Sequence, residues 1–106
     1  MNTDDDLSTE PLVRIVCAAI RHQATGTVLC GVRHYDNAFM RPMIRALCGT
    51  VEAAREQGWY GCEDGFVTNT YEFVTREQAY VIAEAAGQLR SHNPDWGKRL
   101  YSESLY

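Results

Sequence analysis

A small α+β fold, with one antiparallel sheet made of two hairpins and two main helices, is the architecture this chain predicts. Three observations carry it. Two pairs of apolar, β-branched or aromatic runs each flank a short polar tip, the first at 23–26 and the second at 69–71. Met40, Ile44, Leu47, Val51 and Ala54 recur at helical spacing. The second hairpin runs directly into a capped segment whose alanines repeat every three or four residues. At 106 residues the chain is the length of one domain, with 45% apolar and 23% charged residues, ordinary for a globular protein.

Residues 1–10 carry Asp4-Asp5-Asp6 and no apolar period, which predicts a mobile acidic tail before a single domain over 11–106. Residues 12–20, with Val13, Ile15, Val16 and Ile20, read as a strand, and 27–32 as its hairpin partner. Asp36 or Asn37 supplies a short acceptor to cap the helix that follows. Pro42 fits only near that helix start, where no amide bond is lost. Gly49 either weakens one long helix by roughly 1 kcal/mol relative to alanine or breaks it in two.

Residues 59–64 read as a connector and 65–74 as the second hairpin. Thr75 and Gln78 fit a capping box, in which each side chain closes the other's backbone amide. Ala79, Ile82, Ala83 and Ala86 form the buried stripe of the next helix, which ends near Gly87. Pro94 and Gly97 place 91–98 in a loop, and 101–106 reads as a short docked tail. The two helical faces offer more apolar surface than a small monomer covers, so a homodimer or higher oligomer pairing through helices is expected.

The net charge of −4 argues against general DNA binding or docking on an acidic membrane. No apolar run reaches membrane-spanning length. Cys17, Cys30, Cys48 and Cys62 show neither zinc-ligand nor CxxC spacing, which predicts free thiols, a reducing cytoplasm and no metal or cofactor. His22, His34 and His92 sit in no catalytic motif. Glu63-Asp64 could hold Mg2+, but adjacent acids on a loop are common.

Several residues suit a nucleotide-like ligand. Arg76 falls in the first helical turn after Thr75, where exposed amides already favour an anion. The helix dipole disfavours an arginine there, so Arg76 needs another reason to be present. The alternative is a solvated arginine near Glu72. Arg33 follows a strand and precedes a cap; a bridge to Asp36 is its structural alternative. Phe66 and Phe73, one on each strand of the second hairpin, either pack in the core or stack on a base. Asn69 is a turn residue or an amide for ribose hydroxyls. The tip, in this reading, brings Asn69, Phe73 and Arg76 into one neighbourhood.

The chain resembles the phage-encoded Thoeris anti-defence sponges of the first type. The resemblance rests on Arg33-His34-Tyr35-Asp36 opening a helix with Met40, on Gly65-Phe66-Val67, on Phe73-Val74-Thr75-Arg76-Glu77-Gln78-Ala79, on Ala86-Gly87-Gln88-Leu89 and on Leu100-Tyr101-Ser102-Glu103, and it covers about residues 12–106. It implies a protein, not an enzyme, that binds a cyclic ADP-ribose-type signal, or a cyclic oligonucleotide, and sequesters it uncleaved in the cytoplasm of the infected host. It also implies dimers built through helices, with hexamers within range. Arg33, His34, Phe66, Asn69, Phe73, Arg76 and Arg99 are the candidate ligand residues; Arg99 and Tyr101 precede the tail motif, and their structural alternative is tail docking with Tyr101 in the core. Two positions depart from the pattern. Tyr71 stands where a glycine is usual, and Ser104 where an aspartate is usual. The alternatives are a small phage protein that inhibits a host protein by direct binding, or a nucleotide-cleaving enzyme.

Overall fold

A computed structural model describes residues 12–106, so the tail expected over 1–10 lies outside the described residues. The fold is α+β. Four antiparallel strands lie in the order β2-β1-β3-β4: β1 (Ile15–Arg21), β2 (Val28–Gly31), β3 (Glu63–Thr68) and β4 (Phe73–Thr75). The two expected hairpins are present, joined through β1 and β3. The connector reading of 59–64 is corrected. Trp59–Gly61 is a 3₁₀ turn, and Glu63 and Asp64 already belong to β3, opposite Arg21 and Ile20. Only non-local pairing to β1 makes those two acids a strand, since neither has intrinsic preference for one.

The connection from β2 to β3 carries α1 (Met40–Cys48) and α2 (Val51–Glu56). Gly49 breaks the helix: it sits at φ 87°, a conformation costly for any residue with a Cβ, and Thr50 then caps α2 through a 3.0 Å bond from the Ala53 amide. Among the described residues there are thus three α-helices, not two. The break also turns Leu47 out to solvent, while Met40, Ile44 and Ala54 stay buried. Asp36 caps α1 by accepting from the amides of Phe39 and Met40.

The capping box forms as expected at the start of α3 (Arg76–Ala85). Thr75 Oγ1 accepts from the Gln78 amide at 3.2 Å, and Gln78 Oε1 accepts from the Thr75 amide at 2.9 Å. Ala79 and Ala83 of its stripe are fully buried. They let α3 approach Ala18, Phe66 and Val74 closely, with Leu100 and Leu105 closing that core. A second core joins Ile20 to Met40, Ile44, Ala54 and Trp59. Both cores lie on one face of the sheet. The other face carries Cys17, Ala19, Arg21, Cys30, Val67 and Phe73, none of which belongs to either core.

One glutamine and one asparagine side chain act as pieces of backbone. Gln88 accepts from the Ile15 amide and donates to the Ile15 carbonyl, both at 2.8 Å, beyond the end of β2. Asn69 accepts from the Arg14 amide at 2.9 Å and donates to the Leu12 carbonyl at 3.0 Å. The start of β1 is held in this way on both sides. Tyr71 takes φ 68°, so the turn keeps the left-handed conformation that a glycine would supply.

Candidate functional site

His34, Phe66 and Arg76 meet on the covered face of the sheet. Arg76 is only 8% exposed. Its Nη1 donates to the Leu100 carbonyl at 2.8 Å, and its Nη2 lies 3.3 Å from His34 Nδ1 and 3.4 Å from Asp64 Oδ2. The guanidinium lies over the Tyr101 ring at 4.4 Å and over the Phe66 ring at 5.9 Å. The alternative of a solvated first-turn arginine near Glu72 is therefore ruled out by burial. Its reason for standing against the helix dipole is that it ties α3 to the chain at Leu100 and Tyr101, which the Leu100 amide reinforces by donating to the Arg76 carbonyl.

The arrangement fixes the state of His34. Its Nε2 donates to the Gly65 carbonyl at 2.8 Å, leaving Nδ1 to accept from Arg76. Burial, then the positive charge of Arg76, pushes its pKa below the ordinary histidine value, with Gly65, Asp64 and Glu103 opposing. His34 is a neutral spacer that also meets the edge of Phe66 at 5.2 Å.

The other candidates lie elsewhere. Arg33 does not bridge to Asp36. Its Nη2 donates to the main-chain oxygen of Tyr106 at 2.8 Å and its guanidinium faces the Tyr106 ring at 5.1 Å, while the Tyr106 hydroxyl donates to Val32. Arg33 Nη1 is buried without a hydrogen-bond partner among the described residues. Phe73 faces the open side of the sheet, beneath Arg21 at 4.5 Å. Asn69 is consumed by β1. Asn69, Phe73 and Arg76 thus do not share a neighbourhood, and the reason is register: Phe66 opposes Val74 and Val67 opposes Phe73, which sends Phe66 and Phe73 to opposite faces. Arg99 is exposed, pairs with Glu77 at 3.1 Å and approaches the Tyr101 ring at 6.0 Å.

What the sequence reading missed is a row of half-exposed rings beside Arg76 and Arg99. Tyr80 meets His92 at 5.0 Å, His92 meets Trp96 at 5.7 Å, and Trp96 meets Tyr101 at 4.9 Å. Tyr101, which the tail-docking alternative put in the core, is half-buried here. The loop is held from within: Asn93 caps the 3₁₀ turn Pro94–Trp96, and His92 reaches the Gly97 carbonyl and Ser104 Oγ. Ser104, where the resemblance has an aspartate, is fully buried as the hydroxyl partner of His92. The available signal was the density of His92, Trp96 and Tyr101 in a segment with no helical or strand period. Two shallow cavities lie away from this row. One, of about 290 Å³, is lined by His22, Gln57 and Cys62; the other, of about 300 Å³, by Gln88, Arg90 and Tyr106.

The family described as Phage T4 y16D protein matches residues 14–106, from just before β1 to the last residue. The chain belongs to that family. It is a phage protein, and the match spans the whole sheet, all three helices and the aromatic row. No curated protein and no solved structure matches it. Among the described residues, no helix is long and apolar enough to cross a membrane.

Proposed function

We propose that this phage protein is a non-catalytic binder that sequesters a nucleotide-type defence signal, of the cyclic ADP-ribose or cyclic oligonucleotide kind, as the resemblance to the Thoeris anti-defence sponges implies. The observation that carries the reading is the alternation of cations and rings: Arg76, Tyr101, Arg99 and Trp96 lie together, with His92 and Tyr80 extending the row. Rings of this kind stack on a base, and guanidinium groups take a pyrophosphate. Arg99 is the donor free to do so, because its pair with Glu77 is exposed on both sides and weakly held. Glu77 and Asp95 are then acceptors for ribose hydroxyls. Arg76 acts as the strut behind Tyr101.

Release of the ligand intact is supported by what the reactive groups already do. His22, His34 and His92 each have both ring nitrogens engaged within the chain. Burial, then Cys30, pushes the Cys17 thiol up to about 11, and burial, then Asp64, raises that of Cys62, so neither is a ready nucleophile near neutral pH. The test is to incubate the protein with cyclic ADP-ribose, heat-denature it and analyse the supernatant. Full recovery of the unmodified nucleotide after a measured thermal shift is expected. A cleaved product would make the protein an enzyme.

One observation favours direct inhibition of a host protein instead. Tyr71 is 93% exposed at the tip of the β3–β4 turn, held there at a strained φ. An aromatic so displayed is a natural anchor for a protein interface. Absence of a thermal shift with every cyclic nucleotide tried would favour that second reading.

A further inference from the structure

We infer that the free edge of β2 is an interface for a second copy of this chain, which joins two sheets across a two-fold axis. The orientation of the edge follows from one bond. The His22 amide donates to the Thr27 carbonyl at 2.8 Å, in the same register that pairs Ile20 with Leu29 and Ala18 with Gly31. Hydrogen-bonded pairs alternate along an antiparallel ladder. Leu29 and Gly31 therefore spend their backbone groups on β1, while the amides and carbonyls of Val28 and Cys30 point away from the sheet. No described residue hydrogen-bonds to them.

Such an edge is usually blunted with charge, proline or a bulge. From Thr27 to Val32 this chain has no charged residue and no proline, and Val28 is 36% exposed. The net charge of −4 is carried elsewhere, so nothing on the edge repels a copy of itself. A second copy fits better than an arbitrary strand because the edge is complementary to itself. With Leu29 on the two-fold axis, Val28 of each copy lies opposite Cys30 of the other. Each such pair exchanges both its outward bonds, so all the outward groups of β2 are satisfied at once. Two sheets of four strands become one continuous sheet. The interface is isologous. It uses no residue of the row, it differs from pairing through helices, and it stands whether or not the nucleotide reading holds.

The register makes a covalent test. Residues in a hydrogen-bonded pair have Cα atoms about 5.5 Å apart, which a disulfide spans. Val28→Cys should cross-link to Cys30 of a second copy when oxidised glutathione is added, the two thiols giving up two protons and two electrons and the glutathione disulfide being reduced to thiols. A reducible covalent dimer is expected, and it should vanish in the Val28→Cys/Cys30→Ser variant. Light scattering should give the parent protein twice the 12.0 kDa chain mass. Cys30→Pro removes an outward amide and no ladder bond, which an edge strand tolerates, and should give the single-chain mass with the circular dichroism of the parent. A parent of single-chain mass would overturn the inference. So would a dimer that survives Cys30→Pro, or a cross-link that survives loss of Cys30, since either would put the interface elsewhere.

Discussion

The two faces of the sheet carry the same device in two settings. On the covered face Arg76 lies over Tyr101 at 4.4 Å and reaches Asp64 at 3.4 Å; on the open face Arg21 lies over Phe73 at 4.5 Å and reaches Glu63 at 2.7 Å. Judged by distance alone, the open-face pair is the better ion pair. Its side chains are 41% and 32% exposed, however, whereas that of Arg76 is 10% exposed. Exposed pairs contribute little because water and salt already solvate both charges. Arg76 instead satisfies a buried carbonyl, sets the tautomer of His34 and fills the space under Tyr101, so its worth lies in what its removal would leave unsatisfied. Geometry identifies the pairs; burial ranks them.

The largest expected effect follows from that ranking. Arg76→Ala should lower folding stability by about 3 kcal/mol, through the orphaned Leu100 carbonyl and the lost packing on Tyr101. Chemical denaturation of the purified variant measures this. A loss below about 1 kcal/mol would mean that the covered arginine is no more important than the open one. A solvated first-turn arginine, the alternative read from the sequence, would instead cost little.

Gly65 joins the two faces. Its carbonyl accepts from His34, while a Cβ on it would stand 2.1 Å from the Val74 carbonyl and 2.6 Å from the Phe73 ring. Gly65→Ala should destabilise by about 2 kcal/mol, since backbone as well as ring must move. Melting curves in which it matches the parent would show that β4 shifts freely, and the close approach would lose its significance.

The pH dependence separates the faces in a different way. Because the pKa of His34 is lowered in the folded chain, its contribution is complete above the unfolded value near 6.5 and is lost as pH falls from there through the folded value. His34→Gln should flatten that part of the stability profile relative to the parent. Parallel profiles between pH 7.5 and 5 would place the titrating group elsewhere. At the small end, Arg21→Ala should cost less than about 1 kcal/mol, and the difference from the parent should shrink further in high salt. A larger, salt-insensitive loss would show that the open face is covered in solution.

Local signals in the sequence were read correctly where the chemistry is local. The Thr75/Gln78 box needs only neighbours three residues apart, and it forms as expected. Gly49 was readable as a breaker, but whether the helix bends or ends depends on Thr50 finding the Ala53 amide and on which side Met40 and Ala54 are buried. Glu63 and Asp64 were unreadable as a strand because β1 makes them one. At the site, His34, Phe66 and Arg76 do meet, yet the burial of Arg76 depends on Leu100 and Tyr101, far along the chain. The separation of Phe66 from Phe73 depends on hairpin register, which a residue count across an irregular turn does not supply. The aromatic row has no period at all, so only the folded loop assembles it.

Calorimetric titration of cyclic ADP-ribose into the parent and into Trp96→Ala is the most direct measurement of all. Trp96 meets His92 and Tyr101 in the row, whereas the Arg76 guanidinium lies over Tyr101 and Phe66. If the row is the binding surface, the parent binds and the variant loses about 1–3 kcal/mol, roughly five- to a hundred-fold in affinity, with the circular dichroism of the fold unchanged. Equal affinity in a folded Trp96→Ala variant, or no binding by the parent, would contradict a nucleotide site on this face.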